Sequence, residues 1–320
     1  MSSAITGHQD LLSAPDARRS RSRRLGRQQL WIWLLLTPTV VLYGLYTVYP
    51  VIASYWYSFV EWNGFESQKR FVGLQNFRDV FADDLFWNSF KVTLLFMVVV
   101  VPLKVILSLL LAIVLNSPKL PFSTLLRTAY FLPVVTTTAI VGVVMQFVFD
   151  PASGPANQLL RTFGVSEGVN FLGDSSTALW TAAGVYVWKW FGITMIYWLA
   201  ALQTIPDEVY EAARMDGAGA LRLLRHITLP LLRPFLIIIT LLSLESSLRV
   251  FDLVLTLTGG GPFYSTEVVE IYIYRWAFSA TIPQLGYASA AAVIFGLFVF
   301  FVGLFQLLGI RSVQRARAAS

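Results

Sequence analysis

Six long apolar stretches constrain this chain more than any other feature of its sequence. A helix needs about 20 mainly apolar residues to cross a bilayer, and runs close to that length or longer cover 30–59, 88–115, 128–149, 179–202, 230–248 and 288–308. Because a chain in lipid must satisfy its backbone polar groups internally, such runs predict helices. We therefore predict an all-α membrane protein with six transmembrane helices. The first run is too long for the apolar core of a cleaved signal peptide, so we expect it to be retained.

The composition agrees with this class and excludes several others. Of the 320 residues, 56% are hydrophobic and 13% are charged, whereas soluble domains are about one-quarter charged. The absence of cysteine excludes disulfides, thiolate metal sites and a cysteine nucleophile, and the only two histidines, His8 and His226, are far apart. We therefore predict no metal site and no catalytic set. Much of the net charge of +6 comes from arginines that flank the first and last apolar runs, which favours contact with lipid head groups over nucleic acid.

The distribution of lysine and arginine predicts the orientation in the membrane. With the N-terminus inside, the inner segments carry fifteen of these residues and the outer segments six. Positively charged loops stay on the cytoplasmic side, so both termini are predicted to be cytoplasmic. Residues 1–29 are then a basic, partly disordered tail, 30–310 the transmembrane domain, and 311–320 a second basic tail. The segment 203–233, between the fourth and fifth apolar runs, is also predicted to be cytoplasmic.

Segment 203–233 is too polar for a bilayer but is patterned like a helix. Two acidic residues follow Pro206, as is typical of a helix N-terminus. Glu211 and Arg214 are spaced to pair on one face. Gly217 predicts the end of this helix, because glycine is favoured just beyond a helix C-terminus.

A second helix is predicted over 220–229, lying at the membrane surface, with Pro230 opening the fifth span. From the residues alone, the segment could equally be an amphipathic connector that rests on lipid.

The stretch EAARMDGAGALRLLRHITLPLLRP resembles the EAA loop of binding-protein-dependent ABC importer permeases, which reads EAA, three further residues, Gly, and a downstream I-x-LP. The residues in register are Glu211, Ala212, Ala213, Gly217, Ile227, Leu229 and Pro230. Further stretches, FVGLQNF, LLRTAYFLPVV and LTGGGPFYST, resemble elements of maltose-type permeases, the branch that carries sugars and glycerol phosphate. The extended N-terminus is similar to that of the first of two paired permeases. The long outer domain and extra N-terminal spans of the maltose permease have no counterpart here.

The resemblance implies a permease subunit that forms half of the path for a sugar delivered by an extracytoplasmic binding protein. Its other implied partners are a homologous second permease, two ATPase subunits and membrane lipid. ATP and Mg would be bound by the ATPase and no cofactor by this chain, which is not itself an enzyme. In agreement, the glycine-rich 258–262 lacks the lysine of a P-loop. The family's coupling helix would involve Glu211, Ala212, Ala213, Asp216, Gly217, Ile227, Leu229 and Pro230.

Charged residues within apolar runs are candidates for contact with the solute. Lys189 lies about 15 Å into the fourth span at 1.5 Å per residue, and Glu245 and Arg249 are spaced as a helical pair. With neighbouring aromatic and acidic groups, the candidates are Tyr186, Trp188, Lys189, Glu245, Arg249 and Asp252. The alternatives are that Lys189 is a packing residue that pairs with the second permease and that Glu245–Arg249 is a structural ion pair. Lys104 is interpreted as structural, reaching toward the inner interface.

Other kinds of transporter and substrate stay open at this point. A secondary transporter for a polar solute would predict internal repeats and unwound half-helices, and an intramembrane enzyme would need paired carboxylates or a similar catalytic set. Glycerol phosphate or another polyol is an alternative to a sugar.

Overall fold

The computed structural model describes residues 32–117, 120–165 and 168–318, with side chains as far as residue 306. The helices are α1 (Ile32–Tyr57), α2 (Gln75–Ala82), α3 (Asp84–Leu115), α4 (Ser123–Val135), α5 (Thr138–Val148), α6 (Pro155–Thr162), α7 (Ala178–Leu202), α8 (Asp207–Met215), α9 (Ala220–Ser247), α10 (Phe251–Leu257), α11 (Val269–Tyr274) and α12 (Leu285–Ala318). Strands β1 (Val60–Glu61) and β2 (Arg70–Phe71) form an antiparallel hairpin in which Val60 pairs with Phe71.

The apolar runs form helices of membrane-spanning length. Within the described residues, α1, α3, α7, α9 and α12 are each long and apolar enough to cross a bilayer, and the pair α4–α5 would make a sixth span. The predicted all-α membrane class is confirmed, and the six predicted spans correspond to five single helices and one bent pair. The predicted tail 1–29 lies outside the described residues, whereas the backbone of 311–318 continues α12 as helix.

The third span is not the single helix predicted over 128–149, and that prediction is wrong. α4 and α5 meet at an angle of 100°. The two residues between them, Thr136 and Thr137, have extended backbone angles, with ψ of 140° and 134°. The break follows Pro133 and lies in a run of β-branched residues, which have lower helix propensity.

Helix α9 is continuous where two elements were predicted. Residues 220–229 are helical as predicted, but they do not form a separate helix. The predicted helix start at Pro230 is wrong, because α9 runs from Ala220 through the proline. A widened turn, Leu224–Thr228, precedes the proline, and in it the Leu229 N–H donates to the Leu224 carbonyl. Such a turn lets a helix pass a residue that lacks an N–H.

Helix α1 also contains a widened turn before a proline. A widened turn covers Gly44–Val48, in which the Tyr49 N–H donates to the Gly44 carbonyl, and Pro50 follows directly. Pro38 and Pro50 therefore lie within α1 without ending it.

Helices α3 and α7 form the centre of the bundle from residue 57 onward. α3 packs along α7, and α7 also contacts α4, α9 and α10. Buried side chains form three clusters, around α3, α7 and α10, around α3, α7 and α9, and around α3, α11 and α12. The largest buried side chains of these clusters include Phe96, Tyr186, Trp198, Leu232, Phe86 and Tyr272. The bundle therefore holds α7 and α9 firmly, and these two helices flank α8.

Candidate functional site

Helix α8 is a short, exposed helix between two spans. It begins after Pro206, whose backbone is extended, and carries acidic residues in its first turn and Arg214 in its last, as favoured by the helix dipole. Glu211 and Ala212 are exposed, and Ala213 is half-buried. The predicted Glu211–Arg214 pair is not formed, since no ion pair of the described residues includes either side chain. Both charges are therefore presented to solvent.

Gly217 ends α8 as the sequence predicted. Its φ is +76°, in the left-handed region that favours glycine. The Ala218 N–H donates to the Ala213 carbonyl and the Gly217 N–H to the Arg214 carbonyl, which is the hydrogen-bond pattern of a Schellman C-cap. Asp216 precedes the glycine and is exposed. This turn fixes the direction in which the chain leaves α8.

One side of α8 is attached to the bundle. The Tyr210 hydroxyl lies 3.2 Å from the Thr228 hydroxyl of α9, and Tyr210 packs against the cluster around α3, α7 and α9. Along the start of α9, Leu229 and Pro230 are exposed and Ile227 is half-buried. Helix α8 is therefore in contact with α9 and with the cluster that α3, α7 and α9 share.

The pair Glu245–Arg249 is formed as predicted. The Arg249 guanidinium lies 2.6 Å from the Glu245 carboxylate, and the two side chains are 78% and 50% exposed, respectively. Asp252, at the start of α10, is also exposed. Trp188 is 43% exposed. These four candidates are accessible in this chain.

Tyr186 and Lys104 point into the bundle instead. The Lys104 ammonium donates to the Ser246 hydroxyl at 2.9 Å and lies 5.4 Å from the centre of the Tyr186 ring. The Tyr186 hydroxyl also donates to Ser246, at 3.4 Å. Lys104 is only 2% exposed, so the expectation that it reaches toward the inner interface is wrong. A hydroxyl and an aromatic face from neighbouring helices satisfy the ammonium where it lies.

Lys189 is buried and bound to backbone. It is 1% exposed, and its ammonium donates to the carbonyls of Pro133 at 3.1 Å and Thr136 at 2.6 Å. These carbonyls lie at the break between α4 and α5. Unlike the four accessible candidates, Lys189 is therefore buried and already engaged with backbone carbonyls.

Several residues that the sequence did not single out cap other helix ends. Glu270 of α11 accepts hydrogen bonds from the N–H groups of Val250 and Phe251, at the start of α10. Burial raises the pKa of the Glu270 carboxyl, although these two N–H groups oppose the shift. The Gln146 amide of α5 donates to the last carbonyls of α10, and the Arg127 guanidinium of α4 donates to the Leu115 carbonyl, at the end of α3.

A partly buried ion pair spans α11, with Glu267 just before this helix and Arg275 just after it. The Arg275 guanidinium lies 2.6 Å from the Glu267 carboxylate, whose side chain is 3% exposed. Ser89 of α3 donates to the same carboxylate. Burial raises the pKa of Glu267, and the charge of Arg275 opposes the shift.

A second polar group surrounds Asp83, just before α3. Its carboxylate accepts hydrogen bonds from the hydroxyls of Tyr272 and Tyr287 and from the Leu85 N–H. Burial works to raise the pKa of Asp83, but these hydrogen bonds outweigh it and hold the pKa below its ordinary value. The ionised carboxylate therefore joins α3, α11 and α12.

Comparisons with known proteins agree with a bundle of membrane-spanning helices. The family model described as "Binding-protein-dependent transport system inner membrane component" matches residues 93–315. The chain is 33% identical over 277 residues to the probable ABC transporter permease protein YurN of Bacillus subtilis, covering 86% of this chain and 94% of the relative. It is 32% identical over 282 residues to the lactose transport system permease protein LacF of Rhizobium radiobacter, covering 87% and 93%. It is also 33% identical over 289 residues to the sn-glycerol-3-phosphate transport system permease protein UgpA of Yersinia pestis, covering 89% and 95%.

The fold is similar to that of a solved transporter chain. A bacterial ABC transporter involved in the import of the acidic polysaccharide alginate contains a chain that superimposes with a TM-score of 0.77 at 22% identity, covering 91% of this chain and 99% of that chain. With the family match across more than half of the sequence, the class of protein is settled. The chain belongs to the binding-protein-dependent transport system inner membrane components, and it is a multi-pass permease subunit of an ATP-binding-cassette importer.

Proposed function

We propose that this chain forms one half of the translocation path for a sugar or oligosaccharide, with α8 as the helix that docks on a cytoplasmic ATPase. The proposal rests on the length, exposure and attachment of α8. It is a nine-residue helix with an exposed face at Glu211 and Ala212, closed by a rigid turn at Gly217 and joined to both flanking spans. A small, flat and charged surface of this kind suits a groove on a partner, with Glu211 opposite a basic group.

The proposed mechanism needs no nucleotide on this chain. ATP and Mg bind to two partner ATPase subunits, whose closure moves α8, and α7 and α9 follow because both are attached to it. A second, homologous permease completes the path, and an extracytoplasmic binding protein delivers the solute. This arrangement requires the orientation predicted from the charges, with both termini and α8 in the cytoplasm. It is a two-state element whose equilibrium is biased from a distant site.

We propose a hydroxyl-rich solute, since the relatives above are named for lactose and for sn-glycerol-3-phosphate transport. The accessible polar and aromatic groups, Trp188, Glu245, Arg249 and Asp252, are the proposed contacts. Planar charged groups hydrogen-bond hydroxyls, and an indole face can stack on a sugar ring. Tyr186 would act from behind this surface, through Ser246.

The test replaces Gly217 with a β-branched residue and uses Gly219 as the matched control. At both positions an added Cβ would have no neighbour within 4 Å, so neither site lacks room for the first side-chain carbon. Gly217 has φ +76°, whereas Gly219 has φ −73°. A left-handed backbone costs a non-glycine residue about 1–2 kcal/mol, and more for a β-branched one. Only Gly217→Val therefore disturbs the turn.

The complete importer, reconstituted in proteoliposomes with its binding protein, gives the readout. We expect Gly217→Val to assemble normally but to lower solute uptake and binding-protein-stimulated ATP hydrolysis by roughly tenfold, which corresponds to about 1.4 kcal/mol. Gly219→Val should behave like the unmodified chain. Normal uptake and normal stimulated hydrolysis in Gly217→Val would show that α8 is not the coupling helix.

A further inference from the structure

The break in the third span creates a local problem in hydrogen bonding. A helix leaves its last four carbonyls without intrahelical partners, and α4 ends at Val135 while α5 starts only at Thr138. In apolar surroundings, each carbonyl left without a donor is costly. The end of α4 therefore needs donors from another element.

Lys189 of α7 supplies these donors. Its ammonium donates to the Pro133 carbonyl of α4 and to the Thr136 carbonyl in the break, and it lies 4.5 Å from the centre of the Trp190 ring. No ion pair among the described residues includes Lys189. Its positive charge thus faces the negative end of the α4 dipole rather than a carboxylate.

The two halves of the broken span are attached to different helices. On the α4 side, Gly192 of α7 lies so close to the Tyr130 carbonyl that an added Cβ would collide with it, and the Tyr130 and Phe191 rings meet edge to face. The break thus lies directly beside a tight α4–α7 contact.

On the other side of the break, α5 is attached to α10. An added Cβ at Gly142 would collide with the Thr256 side chain, and the Gln146 amide donates to the Thr256 and Leu257 carbonyls at 2.8 Å and 3.2 Å. The bend therefore lies between a segment attached to α7 and a segment attached to α10.

We infer that Lys189 is a positioning residue of the transport cycle, which clips the broken third span to α7 so that α4 moves with α7 while α5 stays with α10. The inference rests on the proposed function, because α7 leads into α8 after only the four residues 203–206. A displacement of α8 reaches α7 and passes through Lys189 and Gly192 to α4. Lys189 then shapes the path without contacting the solute.

The experiment measures the bend directly. The chain has no cysteine, so Thr128→Cys on α4 and Val144→Cys on α5, both exposed, can carry spin labels in an importer whose other subunits lack reactive cysteines. Electron–electron distance measurements across the bend are made for unmodified Lys189, Lys189→Met and Lys189→Arg. Lys91→Met is the matched control, since Lys91 is an exposed lysine of α3 and takes part in no ion pair of the described residues.

We expect Lys189→Met to broaden or shift the distance distribution and to lower transport by about tenfold or more, the scale of a lost charge-assisted hydrogen bond. The solute concentration that gives half-maximal uptake should not change. Lys189→Arg should keep most of the transport and the unmodified distances, and Lys91→Met should match the unmodified protein. If Lys189→Met does not assemble, Lys189→Gln, whose shorter side chain cannot bridge both carbonyls, should broaden the distances to an intermediate degree.

An unchanged distance distribution in Lys189→Met, or in Lys189→Gln where that variant replaces it, would overturn the inference. So would a raised half-maximal solute concentration with unchanged distances, which would instead indicate contact with the solute. A failure of the proposed function can be told apart from a failure of this inference. The former would appear as uptake that is not coupled to ATP in the unmodified importer. The spin-label distances across the bend would still report on the role of Lys189.

Discussion

A single added methyl group should have opposite effects at two glycines of the same helix. Gly184 and Gly192 both lie in α7. At Gly184 an added Cβ would have no neighbour within 4 Å, whereas at Gly192 it would collide with the carbonyl oxygen of Tyr130, part of the backbone. A flexible side chain could yield, but a backbone carbonyl in a packed helix cannot do so without moving α4.

Both substitutions replace a glycine within α7, and only the one at Gly192 adds a collision. Gly→Ala in a helix interior stabilises by about 0.5–1 kcal/mol, because alanine has less conformational freedom to lose. Overpacking by one carbon in a close-packed interior costs about 1–3 kcal/mol. Gly184→Ala should therefore be slightly stabilising, and Gly192→Ala should be less stable than Gly184→Ala by about 1–3 kcal/mol.

The assay is reversible unfolding of the purified chain in detergent by a denaturant titration, followed by circular dichroism. The isolated chain is used because no partner subunit then covers Gly184, which is exposed. Equal free energies of unfolding for the two variants would refute the close approach of α7 to α4. So would a Gly184→Ala variant that is the less stable of the two.

Two further predictions concern the carboxylates near α10 and α11. Arg275→Met should destabilise the fold by about 2–3 kcal/mol, less than for a fully buried pair because Arg275 is partly screened by solvent. Burial already raises the pKa of Glu267, so the loss of stability in the variant should shrink as pH falls and the carboxyl becomes neutral, and it should grow as pH rises. Thermal unfolding of the variant between pH 5 and 8 checks this sign. A loss of stability that grows on acidification would contradict the prediction. Glu270→Ala leaves the N–H groups of Val250 and Phe251 without their acceptor and should lower the free energy of unfolding by about 1–3 kcal/mol. Glu270→Gln keeps a neutral acceptor and should lower it less. Equal losses of stability for the two variants in a denaturant titration would rule out the proposed cap.

Several features set by neighbours along the chain were predictable from the sequence, although the predicted Glu211–Arg214 pair is not formed. The end of α8 at Gly217 follows from the preference of glycine for a left-handed backbone, and the Glu245–Arg249 pair follows from a spacing of one helical turn. Helix ends and helical pairs depend on residues three to five positions apart. A continuous α9 was missed because a widened turn carries the helix past Pro230, and such turns leave no clear mark in the sequence.

Features set by distant neighbours were not predictable. Lys189 meets a carbonyl 53 positions away, and Lys104 meets a hydroxyl 142 positions away. From the sequence, both are lone charges in apolar runs, and their depth gives no information about what faces them. The same holds for Glu270, whose partners at the start of α10 become neighbours only when α11 folds back on it.

An intramembrane charge is usually taken first as a contact for the transported solute, but the broken helices of this fold supply another use for it. Each break leaves polar backbone groups in apolar surroundings, and a long charged or amide side chain from a neighbouring helix can satisfy two of them at once, as Lys189, Glu270 and Gln146 each do. A side chain engaged in this way is unavailable to a solute unless the break itself rearranges. By this criterion, Glu245 and Arg249 are the stronger candidates for solute contact, since their only ion pair among the described residues is the exposed one with each other. A hydroxyl-rich ligand could replace part of that interaction without leaving a backbone group unsatisfied.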